Sequence, residues 1–374
     1  MKRLLYKTLF ILLFFNGSVF AQKKILYNDQ IDVKKATEIS LDIKNIPLKI
    51  IESLDNTIYI DFSMKFKNHS EKEINSYKKK LKIVKKVIGK TINLTIQSKN
   101  KISPVNFELS DGFYLTIPNT EIKDLNNEIG ERKTKKQIVS QIFTKELKDQ
   151  SFAVTLLNAI KKDKKAQIRE AYFTLRIPKH LKFKIEAKET SLIFEGMSIN
   201  DANVTMTKGN FQGEKIVNSK FNLKDTELKV VEFIGGNVKL LNVLKSLIGS
   251  VQKTHLEIES SKIEIGEVGE SVSVQDFSSE LFFYNFSSDF KDFKLTGEYS
   301  KIHFYEPIED YSMTVVGNDT TFYHDGNTIV SQPSKENKKF KMMVRKPKKD
   351  KHFSGKIKFD ITHSIFYYST YTNN

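Results

Sequence analysis

The sequence predicts a mainly β protein, a β-helix-like solenoid with one helical insertion and closing hairpins near its C-terminal end. Three observations predict it. Apolar and charged residues alternate through segments such as YFTLRIPKHLKFKIEAKETSLIFEG (172–196), which is typical of strands with one buried face. Comparable segments recur about every 18 residues beyond it. Residues 119–169 lose the alternation and take up helical spacing instead.

The composition is that of a folded chain without thiol chemistry. The chain has 374 residues, 39% of them hydrophobic and 28% charged, so a large core is possible and wholesale disorder is not expected. It contains no Cys, which excludes disulfides, Cys-based zinc sites and thiol catalysis.

Residues 1–21 are expected to be a signal peptide. Three basic residues precede the apolar run TLFILLFF, and SVFA supplies small residues before a cut after Ala21. The run is shorter than the roughly 20 residues that span a bilayer, although a retained signal anchor is the alternative. Because no Cys follows the cut, a lipoprotein anchor is excluded. The mature chain is therefore expected to be exported, to the periplasm, the outer surface or the medium, with no transmembrane span after cleavage.

The chain is strongly basic. Removal of the three basic residues of the signal takes the formal net charge from +16 to +13. Such a charge attracts anionic partners such as phosphate, acidic glycan or an anionic membrane surface. The Lys residues are spread along nearly the whole chain, however, and a general Lys-rich bias explains that distribution better than a binding stripe does.

Residues 22–118 are expected to form the N-terminal strands of the solenoid, since NTIYIDFSMKF and KTINLTIQSK alternate at period two. The basic segment 70–90 interrupts them, and its pattern fits a short helix that gives way to a strand. The insertion at 119–169 lies between the similar runs FYLTIPN and FTLRIPK, so it is expected to cap or cover an edge of the β framework. A basic amphipathic helix lying on a membrane or partner is the alternative.

Residues 170–310 are expected to form repeat rungs. The first large apolar residues after successive turns are separated by steps of 19, 17, 35, 18 and 21, and the step of 35 contains a degenerate copy at 235–252. That copy fits an irregular rung slightly better than a short helix. The aligned residues are Leu192, Phe211, Leu228, Ile263, Leu281 and Ile302.

Residues 311–374 do not follow the repeat pattern and are expected to form C-terminal hairpins that protect the open end of the stack from pairing with another strand. Within them, 311–331 has the pattern of a hairpin whose type I′ turn is Asp325-Gly326.

The runs LRIPKHLKFKIEAKETSLIFEG, ESSKIEIGEVGESVSVQDFSSEL and IDVKKATEISLDIKNIPLKIIES resemble the adhesin-like β-solenoid family of bacteria. Related domains are labelled head GIN auto-transporter adhesins, and many are classed only as domains of unknown function. The resemblance covers about half of the chain, roughly residues 25–66 and 172–316. The family's usual Ser-Gly-Asp turn is replaced here by Glu-Thr-Ser, Ser-Ser-Lys and Ser-Ser-Glu. The resemblance implies a right-handed β-helix-like solenoid exported to the cell envelope, and it brings no catalytic residues.

Candidate chemistry is sparse. The sequence has no pair of His at the helical spacing of a zinc protease, no Gly-rich phosphate loop and no Gly-x-Ser-x-Gly nucleophile elbow. The polar group Asp319, His324 and Asp325 fits a solvated turn better than a metal or acid–base site. Acidic residues that alternate with Lys fit a solvated strand face better than the carboxylate pair of a glycosidase; they are Glu227, Glu232, Glu257, Glu259 and Glu264.

The chain is rich in aromatics, with 28 Phe and 14 Tyr. LFFYNF (281–286) and SIFYYSTY (364–371) are the densest clusters. Exposed aromatics beside Lys suit sugar stacking or single-stranded nucleic acid, but core packing explains most of them, and the expected export argues against nucleic acid as the partner. A partner-facing role is favoured for SIFYYSTY more than elsewhere.

The sequence thus predicts an exported, non-enzymatic envelope protein, an adhesin-like solenoid that binds a partner or surface glycan through its strand faces. No catalytic, cofactor-binding or metal residue is predicted. The candidate partners are an anionic glycan or an envelope protein. The alternatives are a polysaccharide-acting enzyme on a β-helix and a periplasmic scaffold or sensor domain.

Overall fold

The structure is a computed structural model that describes residues 22–33, 37–103, 105–108, 114–117, 167–307, 311–323, 330–331, 339–346 and 355–369. In these residues the protein is mainly β, as the sequence predicted, with 25 strands and one helix. No helix in this part of the chain is both long and apolar enough to cross a membrane.

The first half of the elements comprises β1 (Gln22–Asp32), β2 (Glu38–Lys44), β3 (Leu48–Ser53), β4 (Thr57–Lys67), α1 (Glu71–Lys80), β5 (Leu81–Ile88), β6 (Thr91–Ser98), β7 (Val105–Glu108), β8 (Tyr114–Ile117), β9 (Gln167–Pro178), β10 (Lys182–Glu195), β11 (Ser198–Asn200) and β12 (Asn203–Leu241). The second half comprises β13 (Ser246–Gln252), β14 (Thr254–Glu259), β15 (Lys262–Val268), β16 (Ser271–Phe277), β17 (Glu280–Phe286), β18 (Asp292–Glu298), β19 (Lys301–Tyr305), β20 (Tyr311–Asn318), β21 (Thr321–Tyr323), β22 (Val330–Ser331), β23 (Lys339–Lys346), β24 (Gly355–Thr362) and β25 (Ile365–Ser369).

The chain divides into two compact units. One comprises residues 1–29, 60–81 and 102–174, and the other comprises 30–59, 82–101 and 175–374.

The smaller unit contains the helix α1. Ser70 caps it, because the Ser70 side chain accepts from the backbone N–H of Glu73 and the Glu73 carboxylate accepts from the backbone N–H of Ser70. Ile74 is the buried residue of α1, and most of the other residues of the helix are charged, with Lys predominating. The expectation of a short helix followed by a strand within 70–90 is confirmed by α1 and β5.

The predicted helical insertion at 119–169 lies outside the described residues except at its end. There, residues 167–169 belong to β9, which pairs antiparallel with β7 through Gln167–Glu108 and Arg169–Asn106. The strand therefore begins before the predicted end of the insertion.

The larger unit is organised as two stacks of strands. Stack A comprises, in spatial order, residues 228–234 of β12, then β13, β15, β17, β19, β25 and β21. Stack B comprises residues 237–241 of β12, then β14, β16, β18, β24, β20 and β23. All of these pairings are parallel except the last one of stack B. From β13 to β19, successive strands of the chain alternate between the two stacks.

The register within stack A advances by similar steps. Leu228 pairs with Ser246, Ser246 with Ile263, Ile263 with Leu281, and Leu281 with Ile302, in steps of 18, 17, 18 and 21 residues. Four of these five residues, all except Ser246, are among those aligned above as the internal repeat of the sequence. Parallel pairing in this register places their apolar side chains one above the other on the same face.

The segment 235–252 contains strand on both sides of a short bend. β12 runs to Leu241 and β13 starts at Ser246, so this segment forms strands and not a helix. Its exposed Leu244 and Leu247 explain why the apolar spacing imitated a helix, since they lie outside the core.

The core lies between the inward faces of the two stacks. Phe283 of stack A meets Phe293 of stack B edge to face at 5.0 Å, and Phe304 meets Phe359 in the same way at 5.5 Å. All four rings are fully buried. Edge-to-face pairs of this kind add to the hydrophobic stabilisation of a core.

The chain turns from stack B to stack A at a left-handed residue followed by a buried hydroxyl. Ser260 has a φ of 50°, and the hydroxyl of the next residue, Ser261, accepts from the backbone N–H of Val243 (2.9 Å) and donates to the carbonyl of Glu259 (2.7 Å). The hydroxyl thus satisfies the backbone N–H of Val243, while the carbonyl of Glu259 also accepts from the backbone N–H of Asn242 at 2.9 Å. The same arrangement recurs at four other turns from stack B to stack A. In each, a left-handed residue precedes a Ser or Thr whose hydroxyl donates to the carbonyl two positions before it: Ser278–Ser279, Tyr299–Ser300, His363–Ser364 and Asp319–Thr320.

The C-terminal strands do not follow the order of the chain. β24 lies between β18 and β20, and β25 lies between β19 and β21, so residues 355–369 are intercalated between strands that precede them in sequence. The strand that pairs antiparallel with β20 is β23, whereas the sequence placed both strands of that hairpin within 311–331. The proposed turn at Asp325-Gly326 lies outside the described residues.

Candidate functional site

The structure describes only part of the polar group Asp319, His324 and Asp325. His324 and Asp325 lie outside the described residues, and the third member, Asp319, occupies a left-handed corner position. The Asp319 carboxylate lies 3.6 Å from Nε2 of His363, which also stacks on Tyr299 at 5.1 Å. Among the residues that the structure describes, no group of three or more His, Asp or Glu could hold a metal ion.

The candidate carboxylates are divided between the stacks. Glu257 and Glu259 are on β14 of stack B, whereas Glu232 and Glu264 are on β12 and β15 of stack A. Glu227 directly precedes the stack A part of β12 and is exposed.

Two of these carboxylates have a Lys partner. Lys239 bonds to Glu257 at 3.0 Å, and Lys215 lies 3.3 Å from Glu232. The hydrogen bond from Lys239 lowers the pKa of Glu257, so this carboxylate is a poor proton donor for glycoside cleavage.

The outward face of stack A carries a continuous group of aromatic side chains, which we call the aromatic stripe. In the register of stack A, Phe282 is followed by His303, Tyr367 and Tyr323 on neighbouring strands. Four parallel strands about 4.8 Å apart make this row about 14 Å long. The members of the stripe are Phe282, Tyr284, His303, Tyr305, Tyr323 and Tyr367.

The rings of the stripe stack on one another along the direction of the stack. The His303 ring lies parallel to Phe282 at 4.2 Å and 2°, and parallel to Tyr367 on its other side at 4.7 Å and 5°. Tyr323 continues the row 5.0 Å beyond Tyr367. Beside this row, Tyr284 and Tyr305 stack at 5.1 Å. The rings therefore direct their edges and polar atoms outward, and neighbouring rings cover the faces within the row.

A short row of charges borders the stripe. The Glu280 carboxylate lies 2.9 Å from Lys301, 3.5 Å from Lys262 and 3.2 Å from Nε2 of His303. The hydrogen bond from Lys301 lowers the pKa of Glu280, so this carboxylate remains ionised at neutral pH. The ammonium groups lie over rings of the stripe, Lys262 at 5.1 Å from Phe282 and Lys301 at 5.7 Å from Tyr367.

Partial burial keeps the central imidazole neutral. Desolvation lowers the pKa of His303, and the nearby Lys301 acts in the same direction, although the hydrogen bond to Glu280 opposes them. At neutral pH the stripe is therefore an uncharged aromatic row beside a charged border. It offers tyrosine hydroxyls and an imidazole for hydrogen bonds together with apolar ring edges.

The structure brings together the two aromatic clusters that the sequence singled out and divides each between core and surface. Phe283 and Phe286 of LFFYNF are buried, whereas Phe282 and Tyr284 belong to the stripe. In SIFYYSTY, successive residues also alternate between core and surface, with Phe366 in the core and Tyr367 in the stripe. Residues 370–371 lie outside the described residues.

Sequence reasoning missed three members of the stripe, namely His303, Tyr305 and Tyr323. His303 and Tyr305 alternate with buried residues in IHFYE, and this alternation could have placed them on the outward face. The neighbour of each ring could not be read from the alternation.

Comparisons with known proteins give little to build on. No family model matches the chain, and no curated protein matches it. Among solved structures, the chain is matched to a protein from Clostridium sporogenes ATCC 15579 described as a putative cell adhesion protein. The identity is 8%, the match covers 94% of this chain and 99% of that chain, and the TM-score is 0.21. A likeness this weak assigns neither fold nor function, and the adhesin-like resemblance drawn from the sequence stays a prediction.

Proposed function

We propose that this chain is an exported, non-enzymatic cell-envelope protein that binds a surface glycan through the aromatic stripe. In this proposal the two stacks are the walls of a right-handed β-helix-like solenoid, and the solenoid is adhesin-like. The basic and apolar segment at 1–21 supports export, to the periplasm, the outer surface or the medium.

One observation carries the proposal, which is that the stripe places six aromatic rings outside the core. Buried aromatics such as Phe283 and Phe304 already fill the inward face of the same strands. Aromatic side chains grouped on the outside of a folded protein mark an interaction surface. Tyrosine suits such a surface because its ring is apolar while its hydroxyl stays wet.

A glycan fits the chemistry of this surface. Sugar hydroxyls can exchange hydrogen bonds with the tyrosine hydroxyls and with His303, and the apolar C–H groups of the sugar can lie against the ring edges. The border of Lys262, Glu280 and Lys301 supplies charged donors and an acceptor beside the row. The row runs across four strands, so it suits an extended polymer better than a small molecule.

The non-enzymatic part of the proposal is supported by the positions and the partners of the candidate carboxylates. Glu257 and Glu264 are on different stacks, and Glu264 accepts a hydrogen bond from the Tyr284 hydroxyl at 3.2 Å. Glycoside hydrolysis needs two carboxylates about 5–10 Å apart across one bond, one of which donates a proton. Glu257 and Glu259 are two residues apart on β14, but the hydrogen bond from Lys239 lowers the pKa of Glu257 and makes it a poor proton donor.

The test is binding and turnover by the purified protein on a panel of neutral and acidic glycans. Saturable binding without new reducing ends or unsaturated products is the expected result. Product formation would establish the rival enzyme on a β-helix. If no glycan binds and an inner-membrane protein co-purifies with the chain, the periplasmic scaffold or sensor function replaces the proposal.

A further inference from the structure

A second surface, on the outward face of stack B, has a different chemistry from the aromatic stripe. Stack B continues from residues 237–241 of β12 to residues 220–224 and then 203–207 of the same strand, where the backbone N–H of Lys220 bonds to the carbonyl of Ala202 at 2.8 Å. Seven exposed polar side chains on the outward face of these three rows form what we call the lysine–amide patch. Its members are Asn203, Thr205, Lys220, Asn222, Lys224, Asn237 and Lys239.

The patch contains a groove. Short amide side chains, Asn222 and Asn237, lie between the longer Lys220 and Lys239, and they leave a groove of about 270 Å³. The backbone of Phe221 and Val238 forms its floor, since both of these side chains are buried or directed into the core. Glu257 lies at one end of the groove.

The charge of the patch is positive. Lys220, Lys224 and Lys239 are exposed, and no carboxylate lies within ion-pair distance of Lys220 or Lys224 among the residues that the structure describes. Lys239 bonds to Glu257 on the neighbouring row. The three rows of the patch contain no acidic residue facing outward.

We propose that the lysine–amide patch binds the carboxylate or sulfate groups of an acidic polysaccharide. Lys220 and Lys224 lie on one strand with Asn222 between them, so two Lys residues whose Cα atoms are about 13 Å apart flank an amide donor. Anionic oxygens accept charge-assisted hydrogen bonds from ammonium groups and further bonds from carboxamide N–H groups. The groove at Asn222 and Asn237 receives the anionic group.

The patch fits a polysaccharide better than the other polyanions that an exported protein meets. Stable binding to an anionic membrane also needs several apolar side chains that enter the lipid, and the outward face of these rows carries one, the partly buried Leu241. Single-stranded nucleic acid binds by stacking its bases on aromatic rings, and Phe221 is buried under the patch. This binding does not depend on the aromatic stripe.

The test compares two double variants of the purified protein that each remove two charges from exposed Lys pairs of stack B. The patch variant is Lys220→Gln with Lys224→Gln. The control is Lys294→Gln with Lys358→Gln, a directly adjacent pair several rows away. Binding to polygalacturonate and to uncharged dextran is measured at about 0.05 M and about 0.3 M NaCl, and to phosphatidylserine vesicles at the lower salt. Matching melting curves establish that both variants are folded.

We expect the patch variant to bind polygalacturonate about tenfold more weakly than the unchanged protein, while the control changes affinity less than about twofold. Asn222→Asp, which places a negative charge in the groove, should weaken binding further, and dextran should not bind this patch. Equal losses in both double variants would show that only net charge matters and would overturn the proposal. Absence of polygalacturonate binding, or vesicle binding that is lost only in the patch variant, would also overturn it. A stripe variant such as Tyr367→Ser should keep its affinity for polygalacturonate.

Discussion

Gly355 lies directly against the ring of Phe290. A Cβ built on Gly355 would come within 2.2 Å of the Cε1 and Cζ atoms of that ring, which is fully buried. Gly355 is the first residue of β24, and the next residue, Lys356, donates its backbone N–H to the carbonyl of Lys291 at 2.8 Å. The absence of a side chain at Gly355 therefore lets β24 enter between β18 and β20, both of which precede it in the chain.

Gly355→Ala should lower the free energy of unfolding by about 1–3 kcal/mol, because the added methyl group overpacks a full core. Denaturant unfolding of the variant measures this loss. In a protein that already carries Phe290→Leu, the smaller side chain makes room, and Gly355→Ala should then cost less than about 1 kcal/mol. An equal cost in both backgrounds would show that the contact with Phe290 is not the cause.

Ser261→Ala should lower the free energy of unfolding by about 1–3 kcal/mol, because it leaves the buried backbone N–H of Val243 without the acceptor that the hydroxyl supplies. Ser271→Ala is the matched control, since Ser271 is exposed at the start of a strand of stack B. Thermal or denaturant unfolding compares the two variants. A loss no larger than that of the control would contradict a structural role for the corner hydroxyls.

Asp276 should make the protein less stable as the pH rises above the ordinary Asp range. It is buried, and desolvation raises its pKa, although the Ser300 hydroxyl donates to its carboxylate. A carboxyl whose folded pKa is raised binds its proton more tightly in the folded state, so stability falls between the unfolded pKa of 3.8 and the higher folded pKa. Asp276→Asn should therefore gain stability relative to the unchanged protein between about pH 3.5 and pH 7. With exposed Asp292→Asn as the control, a difference that is constant with pH would contradict the account.

His303 should have the opposite dependence at milder pH. Desolvation lowers its pKa below the ordinary 6.5, so the folded state takes up this proton less readily than the unfolded state. The stability is fully present above that ordinary pKa and decreases as the pH falls towards the lower folded pKa. His303→Phe keeps a ring in the row without a titrating group, and it should lose less stability than the unchanged protein between about pH 7.5 and pH 5. Parallel losses in the two proteins would show that the row does not disfavour the imidazolium form.

The alternation of the sequence predicted which side of a strand each residue faces, but not which strand lies beside it. Leu281 and Phe283 alternate with Phe282 and Tyr284, and the buried and outward sets follow that pattern. The contact between His303 and Tyr367 joins residues 64 positions apart, and local patterning carries no information about it. Strands with the same period of two are interchangeable as neighbours until the core packing selects one order.

The intercalation of 355–369 could not be predicted either, because alternation does not specify which strands are neighbours. The sequence GKIKFDIT has the alternation of any strand of the stacks, so it was expected to be part of a closing hairpin within 311–374 and not a strand between β18 and β20. The close approach at Gly355 is specific to one place in the core, beside Phe290. The corner hydroxyls were visible as small polar residues between strands, but the hydrogen bonds that explain them join neighbouring turns of the chain.

The most direct test of the central claim is the affinity of two matched double variants for a neutral glycan that the unchanged protein binds, because a neutral glycan does not use the lysine–amide patch. Tyr284→Ser with Tyr367→Ser removes two rings from the aromatic stripe. Phe277→Ser with Tyr299→Ser removes two exposed rings that lie 5.7 Å apart on another surface. If the stripe is the glycan-binding surface, the first variant should bind about tenfold more weakly and the second should change less than about twofold. Unchanged affinity in the stripe variant, with both variants folded, would contradict the claim.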